Sequence, residues 1–84
     1  MEINDKLAFV TGGAHGIGRA LCRAFHIEGA RVTVADRDYP AAQRIAEEVG
    51  GLALQVDVSS EEELARAIDR TEQEMGPIDI FVSN

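Results

Sequence analysis

Three glycines stand at fixed spacing near the start of the chain: Gly12, Gly16 and Gly18, within "TGGAHGIGRA" at residues 11–20. Glycine contributes no functional group. Lacking a Cβ, it lets a ligand approach the backbone closely and makes positive φ available in a tight turn. Glycines clustered in this way point to binding by main-chain N–H groups, and a phosphate suits such donors well. The next candidate is Asp36, 18 residues beyond Gly18. Its carboxylate can accept hydrogen bonds from hydroxyls. Other reactive residue types offer less. Cys22 is the only cysteine, so no internal disulfide forms. No His or Asp pattern is directed at it, and it reads as a small residue on a helix.

Those residues need elements to position them. "KLAFV" (6–10) is a short apolar run suited to a strand buried on both faces. Beyond the glycines the period changes. Ile17, Ala20, Leu21, Ala24 and Phe25 recur at helical spacing, which predicts one buried helix face. His26 falls outside that stripe and reads as surface, and Gly29 stops the helix. "RVTVAD" (31–36) is a second strand. Asp38 then caps a helix with Pro40 in its first turn and an apolar face of Ala41, Ala42, Ile45, Ala46 and Val49, ended by Gly50 and Gly51. "LALQVDV" (52–58) predicts a third strand. "SSEEE" (59–63) carries capping-box spacing as Ser59 with Glu62 or Ser60 with Glu63. A third helix presents Leu64, Ile68, Thr71 and Met75, Gly76-Pro77 breaks it, and "IDIFVSN" (78–84) reads as a fourth strand.

The alternation β-α-β-α-β-α-β implies an α/β fold with parallel strands and right-handed crossovers. In that frame the glycines occupy the first strand-to-helix turn. There a helix offers unpaired N–H groups and the positive end of its dipole. Gly12 would start the turn, Gly16 would admit a pyrophosphate, and Gly18 would let the helix pack close to the sheet. Asp36, at the end of the second strand, would accept from the two hydroxyls of an adenosine ribose.

The spacing is T-G-x-x-x-G-x-G, carried by Thr11, Gly12, Gly16 and Gly18. In this it resembles the compact short-chain dehydrogenase/reductases. "LQVDVSS" resembles the third strand of that family and "GPIDIFVSN" its fourth, so the likeness covers roughly residues 5 to 84. The resemblance implies a Rossmann-type doubly wound parallel sheet with strand order 3-2-1-4. It further implies a dinucleotide lying across the C-terminal ends of strands 1 and 4. By position, Gly12, Gly16 and Gly18 would form the phosphate turn, and the backbone at Ile17 would approach the nicotinamide. Asp36 would hold the ribose, Asp57 and Val58 would flank the adenine, and Asn84 would lie along the cofactor. Thr11 would tie the first strand to the fourth. Ser83 departs from the asparagine usual in the family. His15 stands where many NADP-using members carry Arg or Lys. Asp36 would repel a 2′-phosphate, and Arg37 is read as a solvated loop residue, so NAD is expected over NADP.

The chemistry implied is hydride transfer between a nicotinamide and a carbonyl or alcohol substrate. The family's serine, tyrosine and lysine lie beyond its fourth strand. Here Tyr39 is followed at Y-x-x-x-K spacing by Gln43, and Lys6 is the only lysine. No catalytic residue is therefore expected within these 84 residues. They read as the N-terminal part (1–84) of a single NAD-binding domain, truncated after strand 4, with a homo-oligomer expected for the full-length form. A non-catalytic dinucleotide-binding or interaction module is the alternative. An epimerase branch is disfavoured, because its spacing is more often T-G-x-x-G-x-x-G.

Composition narrows the field further. A chain of 84 residues buries only about 60–65% of its unfolded surface, enough for one domain at most. The net charge of −7 argues against nucleic acid, which calls for a basic stripe. No apolar run approaches the ~18 residues of a membrane span. "MEINDK" does not resemble a signal peptide, so a cytoplasmic location is expected, and no metal site is indicated.

Overall fold

The run Leu7–Thr11 is buried at all five positions, as a strand covered on both faces must be. The computed structural model describes residues 2–84. Its elements are β1 (Leu7–Thr11), α1 (Gly16–Ile27), β2 (Arg31–Asp36), α2 (Tyr39–Val49), β3 (Leu52–Gln55), α3 (Glu61–Met75) and β4 (Ile80–Val82). The four strands form one parallel sheet in the order β3-β2-β1-β4, as expected from the alternation and the resemblance. Ala8 and Val10 of β1 pair with Val32 and Val34 on one side and with Ile80 and Val82 on the other.

The period of two along the strands divides the core. Ala8, Val10, Val32 and Val34 pack with Cys22 of α1 and with Ala42, Ile45 and Val49 of α2. Phe9, Ala35, Leu54 and Val56 pack on the opposite face with Ala67 of α3. That second layer is thinner over β4. Phe81 stacks on its register partner Phe9 at 5.3 Å between ring centroids and remains 46% exposed. Among the described residues no helix is long and apolar enough to cross a membrane, and no acidic, His or Cys cluster could hold a metal.

Three expectations need correction. The buried line of α1 is Gly18 and Cys22, with Leu21 and Phe25 half-buried; Ile17 is 72% exposed, and Ala20 and Ala24 are exposed too. The helix is turned so that Gly18 faces the preceding turn, and that contact overrides the apolar periodicity. The third strand ends at Gln55 instead of reaching Val58. Val56 N–H still donates to Asp36 O, but the chain then turns at Asp57, whose carboxylate accepts from Ser59 N–H at 3.0 Å and from Ser59 Oγ at 2.6 Å. The fourth strand is only Ile80–Val82. Ahead of it, Asp79 N–H donates to Leu7 O at 2.9 Å and its Oδ2 accepts from Leu7 N–H at 2.8 Å, so this carboxylate fixes the start of the β1–β4 pairing.

Of the two possible caps on α3, Ser60 is the one used. Its Oγ accepts from Glu63 N–H at 3.2 Å, while Glu63 Oε1 reaches past it to accept from Asp57 N–H at 3.2 Å. Ser60→Ala is expected to cost about 1 kcal/mol of folding stability, read as a lower urea midpoint. An unchanged midpoint would show that the cap contributes nothing.

Candidate functional site

The turn between β1 and α1 is laid along the end of β2. Gly13 N–H donates to Ala35 O at 3.3 Å, and Ala14 N–H donates to Asp36 Oδ2 at 3.1 Å. Asp36 Oδ1 accepts from Asp38 N–H at 2.9 Å. Asp36 thus braces both its own turn and the glycine turn. Each carboxylate oxygen has two lone pairs, so capacity remains for two ligand hydroxyls. Val56 N–H donates to Asp36 O at 3.1 Å, which brings the Asp57–Val58 turn to the same end of the sheet. Val58 is 52% exposed there. The Ser59 hydroxyl, followed by the Ser59 N–H, holds the Asp57 carboxyl below the usual carboxylate range.

The start of α1 differs from the other two helices. Asp38 caps α2 by accepting from Ala41 N–H at 3.2 Å, and Ser60 caps α3. The residue before α1 is His15, in extended conformation and with no side-chain cap, and no acidic residue lies in the first turn. The first-turn N–H groups therefore have no side-chain acceptor. Gly16 has φ +53°, and a Cβ placed on it would meet no atom within 4 Å. Its surroundings are open, as an approach path for an anion requires.

Gly18 has the opposite environment. A Cβ there would lie 2.0 Å from Gly12 O and 2.8 Å from Asn84 Nδ2. The close packing expected of Gly18 exists, but it is against the glycine turn itself and the end of β4. Asn84 Nδ2 donates to Gly12 O at 3.3 Å. Thr11 Oγ1 donates to Val82 O at 3.2 Å and accepts from Asn84 N–H at 3.0 Å, tying the first strand to the fourth as expected. Gly12, Gly18 and Asn84 thus form one contact set, Asp36 joins the same turn through Ala14, and Ile17 projects into the open from the first turn of α1.

Sequence reasoning missed three contributors. Gly13 is buried, and a Cβ on it would press against Cys22 Sγ and Val34. Asp79 pins β4, and its only sequence signal was a lone acid set between Ile78 and Ile80. Asp38 was expected as a cap, but it also meets His15 Nε2 at 2.9 Å. That contact, followed by the Ala41 N–H, holds the Asp38 carboxyl below its ordinary range. Cys22 donates weakly to Gly13 O at 3.7 Å, and burial pushes its thiol up to about 11, which leaves it protonated and unreactive at neutral pH. A groove of about 490 Å³ beside Tyr39, Gln55, Arg66 and Arg70 runs along the open edge of β3 and includes none of the glycine-turn residues.

A sequence model of the family described as short chain dehydrogenase matches residues 6–84. The chain is similar to an uncharacterized oxidoreductase, YuxG, of Bacillus subtilis, with 42% identity over 99% of this chain and 13% of that protein. It is also similar to a sorbitol dehydrogenase of Cereibacter sphaeroides, with 40% identity over all of this chain and 34% of the relative. Among solved structures, a 3-ketoacyl-(acyl-carrier-protein) reductase from Brucella melitensis complexed with NADH matches with a TM-score of 0.90 and 32% identity. That match covers 94% of this chain and 33% of the reductase. The chain therefore spans about a third or less of the length of these proteins.

Proposed function

The chain belongs to the short-chain dehydrogenase family, and from that premise we propose that it is the cofactor-binding portion of an NAD-dependent oxidoreductase. The observation that carries this reading is the 3.1 Å contact between Ala14 N–H and Asp36 Oδ2. It makes one site of two features that lie 22 residues apart in the chain. The uncapped start of α1 and the open space at Gly16 suit the pyrophosphate, and the spare lone pairs of Asp36 suit the adenosine ribose. The turn at Asp57 and the exposed Val58 would border the adenine, while the backbone at Ile17 and the side chain of Asn84 would lie toward the nicotinamide. The NADH complex of the Brucella melitensis reductase, so similar in fold, favours the same ligand.

When bound, the nicotinamide would supply hydride transfer to or from a carbonyl or alcohol substrate. The residues present bind and orient it: the first turn of α1 offers donors to the phosphates, and Asp36 selects a free ribose. In this reading residues 1–84 are the N-terminal part of a single nucleotide-binding domain. The substrate pocket, the catalytic residues and the surfaces of a homo-oligomer would lie in further sequence, as the threefold greater length of the relatives allows.

Asp36 provides the test. Asp36→Ala is expected to weaken NAD+ binding about ten- to a hundredfold, because hydrogen bonds to a charged group contribute about 1.5–3 kcal/mol. The preference for NAD+ over NADP+ should narrow at the same time, as the repulsion of a 2′-phosphate is removed. Calorimetric titration of both dinucleotides measures this. Tighter binding of NADP+ than of NAD+ by the wild type would contradict the assignment.

A further inference from the structure

Among the described residues β3 ends the sheet, with β2 on one side and no strand on the other. Successive residues of a strand direct their main-chain groups to alternate sides. Val56 N–H donates to Asp36 O, toward β2, so Ala53 and Gln55 present their N–H and C=O groups outward. Among the described residues these outward groups have no hydrogen-bond partner. Grooves flank this edge on both faces of the sheet. The one of about 490 Å³ has Leu54, Arg66 and Ala67 on the α3 side. A second, of about 330 Å³, has Gln43, Ala46 and Gly50 on the α2 side. Tyr39, Ala53 and Arg70 border both, so the two form one trough that straddles the strand. A strand laid along β3 sends its side chains alternately to the two faces, and each set would meet a groove.

The two sides differ in charge. The α3 side is lined by Arg66 and Arg70, and by Glu63, whose Oε1 already accepts from Asp57 N–H. Arg66 uses Nη1 on Glu62 at 2.8 Å, and Arg70 uses Nε on Glu74 at 2.7 Å. Both guanidiniums stay largely exposed and keep further N–H donors for a carboxylate. The α2 side instead holds Glu47 beside Ala46 and Gly50. We propose that the open edge of β3 docks an extended segment of a partner protein as a further strand, with acidic side chains toward α3 and apolar ones toward α2. The inference is independent of the dinucleotide reading. The chain as a whole carries −7, so the pull on an acidic segment must come from these two guanidiniums. A second copy of the chain fits the edge less well. Antiparallel pairing of two β3 edges sets both α3 helices on one face, where Arg66 and Arg70 would meet their own counterparts.

The probe is a fluorescein-labelled, capped peptide of alternating valine and glutamate, about eight residues long to match a strand. Its binding to the full-length protein at low ionic strength is read by fluorescence anisotropy. Saturable binding is expected, with Kd below about 1 mM. The valine–lysine counterpart should bind at least about tenfold more weakly, and Arg66→Gln/Arg70→Gln should weaken binding of the glutamate peptide about tenfold. Ala53→Pro removes an outward N–H and no bond to β2, so it should weaken binding about tenfold in a protein that still melts cooperatively. Two further peptides test the wild type itself, one N-methylated at its valines and the other at its glutamates. Only one side of an added strand faces β3, so one of them should bind at least about tenfold more weakly and the other within about threefold of the parent. Absence of saturable binding, equal binding of the lysine peptide, or equal loss with both N-methylated peptides overturns the proposal. So does a dimer of the unliganded protein that sedimentation shows to dissociate in Ala53→Pro, because a second copy would then fill the edge.

Discussion

Gly18→Ala is expected to destabilise the protein by about 2 kcal/mol and to disorder the glycine turn. Two effects of opposite sign compete at this position. Alanine favours a helix over glycine by about 1 kcal/mol. Against that, the added Cβ would sit 2.0 Å from Gly12 O and 2.7 Å from Gly12 C. Both are backbone atoms, so no flexible side chain can swing aside. Retreat of α1 is opposed by Cys22, fully buried one turn further along, and by Leu21 and Phe25 beside it. The turn must move instead, and it carries with it the hydrogen bond from Asn84 to Gly12 O. Overpacking of this kind costs about 1–3 kcal/mol and occasionally more, so the steric effect outweighs propensity. Urea denaturation measures the loss. A variant as stable as the wild type would mean that Gly18 is not pressed against the turn.

Gly16→Val separates binding from folding. At φ +53° any L side chain is strained, by about 1–2 kcal/mol, and a β-branched one fares worst. Apart from its chain neighbours and the backbone of its own helix, nothing lies within 4 Å of the new Cβ, so tertiary packing is not disturbed and the helical circular dichroism should persist. The isopropyl group would project into the space through which, on the proposed reading, a phosphate would reach the first turn of α1. The expected result is at least a ~100-fold loss of NAD+ affinity, equivalent to about 2.8 kcal/mol, in a protein that remains folded. NAD+ binding within about threefold of the wild type would reject the phosphate turn. The two glycines thus give opposite signatures, Gly18 mainly in stability and Gly16 mainly in binding.

Much of this architecture was legible in the residues. The change of period from "KLAFV" to α1, the caps Asp38 and Ser60, and the breaks at Gly29, Gly50 and Gly76 place the elements by local physics. The glycine turn and Asp36 come together because their positions in a parallel βαβ unit converge at the ends of the strands. What was not legible depends on contacts distant in sequence. Ile17, Ala20 and Ala24 have the types and spacing of a core face, yet α1 is turned by the meeting of Gly18 with Gly12 O. Apolar periodicity carries no trace of that contact. Asp79 reaches Leu7 across 72 residues, and His15 reaches Asp38 across 23; neither pairing has a local signature. The third strand ended early because Asp57 preferred to accept from Ser59, competing with the ladder as short polar side chains do.

The central claim is that the glycine turn and Asp36 form one dinucleotide site. The most direct test is a titration of isotopically labelled protein with NAD+, followed by amide chemical shifts. Saturable shifts are expected, largest at Gly12, Ala14, Gly16, Ile17 and Gly18, with further shifts at Asp36, Val58 and Asn84. Shifts centred on the β3-edge groove at Ala53, Gln55 and Arg70, or no shifts at millimolar NAD+, would contradict it.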